Sequence, residues 1–304
     1  MSVTVVGSVA LDSVRTPFGE ATEALGGSAA YFAVAARHFV PVSIVAVVGE
    51  DFPEEHVQLL RDRGVDLSGL ETARGRTFRW AGEYGYDLNT RETLRTELNV
   101  FADFKPKLGE AHRAARFLFL ANIHPELQHD VLEQVPKPEM VLLDTMNYWI
   151  ERAPKELDKV LRRADVVLVN DEEARQLTKE SNLLKAARKI LASGPSIAVI
   201  KKGEHGCLVH GRDFLFAAPV FPLEDIVDPT GAGDTFAGGF LGYLAASEDP
   251  WDEKEIRRAA VYGTVLASFT VESFSLRRLS LATREEIDHR FREIRRIAEV
   301  EAAL

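Results

Sequence analysis

The sequence predicts an α/β fold of three layers, in which a mostly parallel central sheet lies between helices and carries a small antiparallel β lid. Three observations carry this expectation. First, short apolar runs rich in β-branched residues recur along the chain: VTVVGSVA, VSIVAVVG, ARFLFLA, MVLLDT, DVVLVN and SIAVIKKG. Strands that are apolar on both faces belong to sheets covered on both sides. Second, helical patterns separate most of these runs. GGSAAYFAVAARHFV follows the first strand, and EEHVQLLRDRG follows the second and stops at Gly64. Third, residues 76–104 break the rhythm, because TFRWAGEYGYDLNTRETLRTELNVFADF alternates polar with large side chains around a turn-like YGYDLNT. With residues 11–18, this stretch is expected to form the lid, as insertions in a single domain spanning 1–304. The last third is helical, in GAGDTFAGGFLGYLA, EIRRAAVYGTVLASFTVE and TREEIDHRFREIRRIAEV.

Bulk properties narrow the function. The 304 residues are 46% hydrophobic and 28% charged, enough apolar material for a large core. A net charge of −10 disfavours a nucleic-acid partner, whose phosphates would be repelled, yet leaves room for a local positive site. The single cysteine, Cys207, excludes an internal disulfide framework. MSVTVVGSVALDSV has neither a basic leader nor an apolar stretch of membrane-spanning length, so a cytoplasmic protein without a membrane partner is expected.

The stretch with most chemistry is DPTGAGDTFAGGFLGYLA, Asp228 to Ala245. A helix N-terminus offers unpaired N–H groups and positive potential, and glycines let a ligand approach the backbone. Pro229 biases Asp228 to an extended conformation. The amides of Gly231, Ala232 and Gly233 are then expected to form a concave nest for an anion. Asp234 beside that nest would repel an anion unless it had a task, such as taking the proton of a hydroxyl that attacks a phosphoryl group. The plainer alternative is a glycine turn with an acid favouring the helix dipole. Walker and dinucleotide motifs are absent: GxxxxGK[ST] does not occur, and Phe236 stands where GxGxxG needs its third glycine.

DPTGAGD followed by TFAGGF resembles the C-terminal signature of the ribokinase (PfkB-type) carbohydrate kinase family. Gly26-Gly27 is similar to its N-terminal glycine pair, NDEEARQLT to its Asn-x-x-Glu element, and KKGEHGCLV to its glycine turn before the nucleotide site. The motif order matches over almost the whole chain. The resemblance implies a ribokinase-like fold and an ATP-dependent transfer of phosphate to an alcohol of a sugar, a primary hydroxyl by expectation. A nucleoside kinase on the same scaffold, or a non-catalytic nucleotide- or sugar-binding module, are the alternatives.

The resemblance also implies roles. Asp234 matches the catalytic base, and Gly231, Ala232 and Gly233 the anion hole. Asp12, Gly26, Gly27 and Tyr31 fall at the acceptor. Asn170, Lys202, Gly203 and Thr230 fall at the nucleotide. Glu173, with Asn170, matches the residues that organise Mg²⁺ through water, and Asp228 a position near a monovalent cation such as K⁺. Read alone, NDEEARQLT is a helix start with an Asn cap, and Asp12 a loop acid after a strand. Lys201 and Lys202 either neutralise phosphates or are solvated at a strand end. Where sugar kinases of the family carry Asn, this chain has Tyr31, expected to add a flat apolar face that suits a nucleoside or larger acceptor. Trp80 and Tyr84 either cover the acceptor or pack within the lid. His205, Cys207 and His210 lie on a turn and strand whose side chains alternate faces, which argues against a zinc site. The exposed strand edges of a lid also suggest a homodimer.

Overall fold

Strands covered on both faces have little room for polar side chains, and the inner strands of the central sheet of the computed structural model are almost wholly apolar, whereas its edge strand VDLSGLETA is partly exposed and mixes polar with apolar residues. The structure describes residues 2–299. In chain order the strands are β1 (Val3–Val6), β2 (Ala10–Thr16), β3 (Gly19–Gly26), β4 (Val42–Gly49), β5 (Val65–Ala73), β6 (Arg79–Tyr84), β7 (Arg91–Glu97), β8 (Phe117–Leu120), β9 (Met140–Asp144), β10 (Val166–Asn170), β11 (Ile197–Lys201), β12 (Cys207–Gly211) and β13 (Leu215–Ala218). Nine of them form the main sheet in the order β13-β12-β11-β10-β9-β8-β1-β4-β5. Pairing is parallel from β5 to β11 and antiparallel at β12 and β13.

Alternate residues of each strand feed separate cores. Val166 and Leu168 of β10 face helices Ser28–Ala36, Ala232–Ala246, Glu253–Thr270 and Arg284–Ala298. Val167 and Val169 face helices Pro125–Gln134, Pro154–Leu161 and Leu183–Ala192. The three layers expected from the sequence follow from this. Phe32 and Phe119 stack across one helix–sheet boundary with centroids 4.3 Å apart. Truncating either ring would cost about 3–5 kcal/mol, a large share of a typical domain's stability.

Helix Ala232–Ala246 sits between two neighbours at very short range. A Cβ on Gly238 would lie 2.7 Å from Ala35 Cβ, and one on Gly239 would lie 2.9 Å from the Tyr262 carbonyl oxygen. The GG of TFAGGF therefore serves packing.

The lid is a four-stranded sheet, β3-β2-β6-β7. Its β2–β3 and β6–β7 pairs are antiparallel, joined by a parallel β2–β6 seam. The first lid segment is longer than the expected 11–18, because GEATEALG continues it to Gly26 as β3. That strand is mostly exposed and polar, so it lacks the apolar signal by which strands are read from sequence. Buried Arg79 ties the lid down, with Nε on Glu23 at 2.6 Å and an Nη on Asp51 at 2.8 Å.

Candidate active site

The carboxyl ends of parallel strands are where an α/β sheet opens to ligands. Here they deliver Asp144 from β9, Asn170 from β10 and Lys201 from β11 to the start of helix Ala232–Ala246. Lys201 Nζ donates to Asp144 Oδ2 at 3.1 Å and lies 3.1 Å from where a Cβ on Gly233 would stand. The second glycine of GAG thus makes room for a buried ammonium beneath the turn. Burial disfavours the Lys201 charge, but Asp144, Glu173 and Asp234 outweigh it and hold its pKa above the usual value.

Gly231 precedes the helix with φ +77, a left-handed conformation that glycine adopts without strain. A Cβ there would collide with the ring of Tyr31. Of the amides expected in the nest, Ala232 N–H donates to the Pro229 carbonyl at 3.2 Å. Among the described residues no backbone acceptor meets the N–H groups of Gly231 and Gly233. The turn thus leaves these two amides without a backbone partner, while the Ala232 amide is engaged by Pro229.

Asp234 lies in the first helical turn, half-buried. Burial and the nearby Asp144 push its pKa up to about 7, against the pull of Lys201 and Arg91. Such a group can exchange protons near neutral pH. Asp12, on β2, is also pushed up to about 7, first by burial and then by Asp228 and Asp234, against a hydrogen bond from Gly27 N–H. A Cβ on Gly26 would overlap the Asp12 carboxylate, so the glycine pair admits this acid against the backbone.

Tyr31 departs from expectation. Its ring is 2% exposed and packs against Gly231, so the flat face expected at the acceptor supports the nest instead. Asn170 and Glu173 form a reciprocal capping box, each bond 2.7 Å long. The helix-cap reading is thus correct as geometry, and the cap leaves Glu173 beside Lys201 and Asp144. Burial, then Asp144, raises Glu173 to about 7 against Lys201. Buried Asp228 accepts from Thr230 N–H at 2.9 Å and next to it the Thr230 hydroxyl donates to Tyr84 at 3.2 Å. Lys202 and Gly203 begin a tight turn after β11, where the Asn89 side-chain amide of the lid donates to Glu204 at 3.4 Å. Trp80 is half-buried on β6, with the Arg91 guanidinium 5.3 Å from its ring centroid. Cys207 is buried and its thiol is pushed up to about 12, which removes it as a nucleophile.

The oxygen donors of Glu173 and Asp144, gathered beside the nest, fit a hard divalent cation that keeps part of its water shell. Sequence reasoning singled out neither Asp144 nor Arg91. Asp144 had a signal, an acid closing a buried strand; Arg91 had none, being one charge among many in TRETLRTE.

The profile of pfkB family carbohydrate kinases matches residues 2–283. A cytidine kinase of Thermococcus kodakarensis is 33% identical over 251 residues, covering 80% of this chain and 88% of that protein. A nucleoside kinase of Burkholderia thailandensis, solved in complex with inosine, superposes with a TM-score of 0.76 at 19% identity, over 96% of this chain and 98% of that one. A Vibrio cholerae fructokinase double mutant in fructose, ADP and potassium ion bound form gives 0.78 at 20%, over 95% and 98%. At such identities the structures show a shared fold. With the near-complete family match, they establish that the chain belongs to the pfkB family of carbohydrate kinases and is an ATP-dependent phosphotransferase acting on an alcohol.

Proposed function

We propose that the chain transfers the terminal phosphoryl group of ATP to the primary hydroxyl of a nucleoside or a closely related pentoside. The observation that carries the chemistry is the half-buried Asp234, held near neutrality beside the free amides of Gly231 and Gly233. Asp12 accepts hydrogen bonds from hydroxyls of the acceptor and fixes the sugar ring. Asp234 takes the proton of the attacking hydroxyl, while the two amides and Lys201 hold charge as it builds on the phosphoryl oxygens. A Mg²⁺ ion bound through Glu173 and Asp144 would neutralise nucleotide phosphates. Thr230, Lys202 and Gly203 serve the nucleotide, and Asp228 adjoins a K⁺ site. The lid excludes water, which protects ATP from hydrolysis. Its edge strands β3 and β7 are exposed and support pairing with a second copy.

A nucleoside is preferred over a free sugar because the likeness to the cytidine kinase runs through most of both chains, and because Trp80 lies half-buried on the lid. A panel of nucleosides, free pentoses and hexoses, assayed for ADP release with purified protein, Mg²⁺ and ATP, tests the assignment. Turnover on a nucleoside, with phosphate on its primary carbon by NMR, is expected. Turnover on hexoses alone would overturn the acceptor. Melting shifts with ATP but no ADP release from any alcohol would make the chain a binding module.

A further inference from the structure

We propose that Arg91 is the lid's own catalytic residue: its guanidinium closes over the Gly231–Gly233 turn and binds the phosphoryl group while it moves between nucleotide and acceptor. The inference rests on the kinase reading above and adds a residue that reading did not use. Arg91 opens β7 and lies directly opposite Tyr84 of β6 in the strand register. Side chains at opposed positions share a face of the sheet. The Tyr84 hydroxyl meets Thr230, the residue before Gly231, at 3.2 Å, so that face looks onto the anion turn. Trp80, four residues from Tyr84 and on the same face of β6, stacks with the guanidinium, its Cζ 5.3 Å from the ring centroid. Stacking on one side leaves the edge of the fork for hydrogen bonds, and it already reaches the Tyr84 hydroxyl beside the turn.

The ion-pair pattern isolates this residue. On the same sheet Arg15 pairs with Glu20, Arg79 with Glu23 and Asp51, and Arg95 with Glu97. Among the described residues Arg91 has no carboxylate within 4.0 Å, although its charge acts on Asp12, Glu173 and Asp234. An unpaired guanidinium facing several carboxylates across a cleft is suited to an anion that arrives between them. The need is plain from the charges: a terminal phosphate enters beside Asp144, Glu173 and Asp234, while Lys201 is already engaged by Asp144. In the transfer, the acceptor oxygen forms the new bond to phosphorus and gives its proton to Asp234. The bond from phosphorus to the bridging oxygen breaks, and ADP leaves with that electron pair. Arg91 keeps its protons throughout and hydrogen-bonds the equatorial oxygens, where the planar fork fits best.

The test compares Arg91→Ala, Arg91→Lys and Arg95→Ala, the last being a neighbour already paired with Glu97. Arg91→Ala should lower kcat by about 100-fold or more, while KM for the acceptor changes by less than about threefold. Added guanidinium ion should restore a measurable part of the lost rate to Arg91→Ala, and none to Arg91→Lys. Arg95→Ala should stay near the wild-type rate. Because Arg91 is exposed, melting temperatures should be close to wild type. An Arg91→Ala rate within threefold of wild type, or a loss confined to acceptor KM and unmoved by guanidinium, would overturn the proposal. A wild-type protein without kinase turnover would instead sink the kinase reading itself.

Discussion

The two sides of the cleft are made in opposite ways. The Gly231–Gly233 turn is part of the core: Gly231 lies on the buried Tyr31 ring, and the helix it starts is wedged against two others. The lid is a thin sheet whose β7 is exposed along nearly its whole length, fastened by Arg79 and a few polar contacts. One side holds fixed dipoles in place before any ligand arrives; the other is cheap to open. Electrostatic catalysis needs the first property, and substrate entry needs the second.

The largest effect is expected at Asp234, on the rigid side of the cleft. Asp234→Asn should reduce kcat by about 10³-fold while ATP binding survives, measured by turnover and by nucleotide-dependent melting. The pH profile gives the sign. A base must be unprotonated, so wild-type kcat should rise with pH and level off above about 7, the value to which burial lifts Asp234. The residual rate of the Asn variant should lose that limb. The raised pKa also means that the folded protein binds a proton more tightly than the unfolded chain. Wild-type stability from this group is therefore lost as pH rises from about 4 through 7, and at pH 8 Asp234→Asn should melt higher.

Next comes Gly231→Ala, which combines a positive φ with a collision on Tyr31. It should cost on the order of 2–4 kcal/mol by denaturant unfolding and remove most activity, since the nest cannot yield without moving the core. The lid should respond mildly to a similar insult. Tyr84→Phe deletes the hydroxyl that meets Thr230, at a cost of about 1 kcal/mol, and should raise acceptor KM a few-fold with kcat little changed. If Gly231→Ala proved as harmless as Tyr84→Phe, the division between rigid floor and yielding cover would be wrong.

What the sequence disclosed follows the same division. The buried strands were legible because a sheet covered on both faces leaves unbroken apolar runs, and the DPTGAGD turn because only a few residue types fit it. The strand GEATEALG was not legible, since an exposed lid strand has no face that must be apolar. Asp144 and Lys201 sit far apart in sequence and meet only through the order of β9, β10 and β11. Spacing along the chain holds no trace of that meeting. The family resemblance puts Tyr31 at the acceptor, whereas its contact with Gly231, two hundred positions away in sequence, shows only in the packing.

With Gly238 already against Ala35 and Gly239 against the Tyr262 carbonyl, the helix bearing Asp234 has no slack along or across its axis. Any movement that shuts the cleft therefore falls to the lid rather than to this helix. Changes of acceptor during divergence would likewise accumulate in the lid, with the helix that bears Asp234 remaining a stationary anvil.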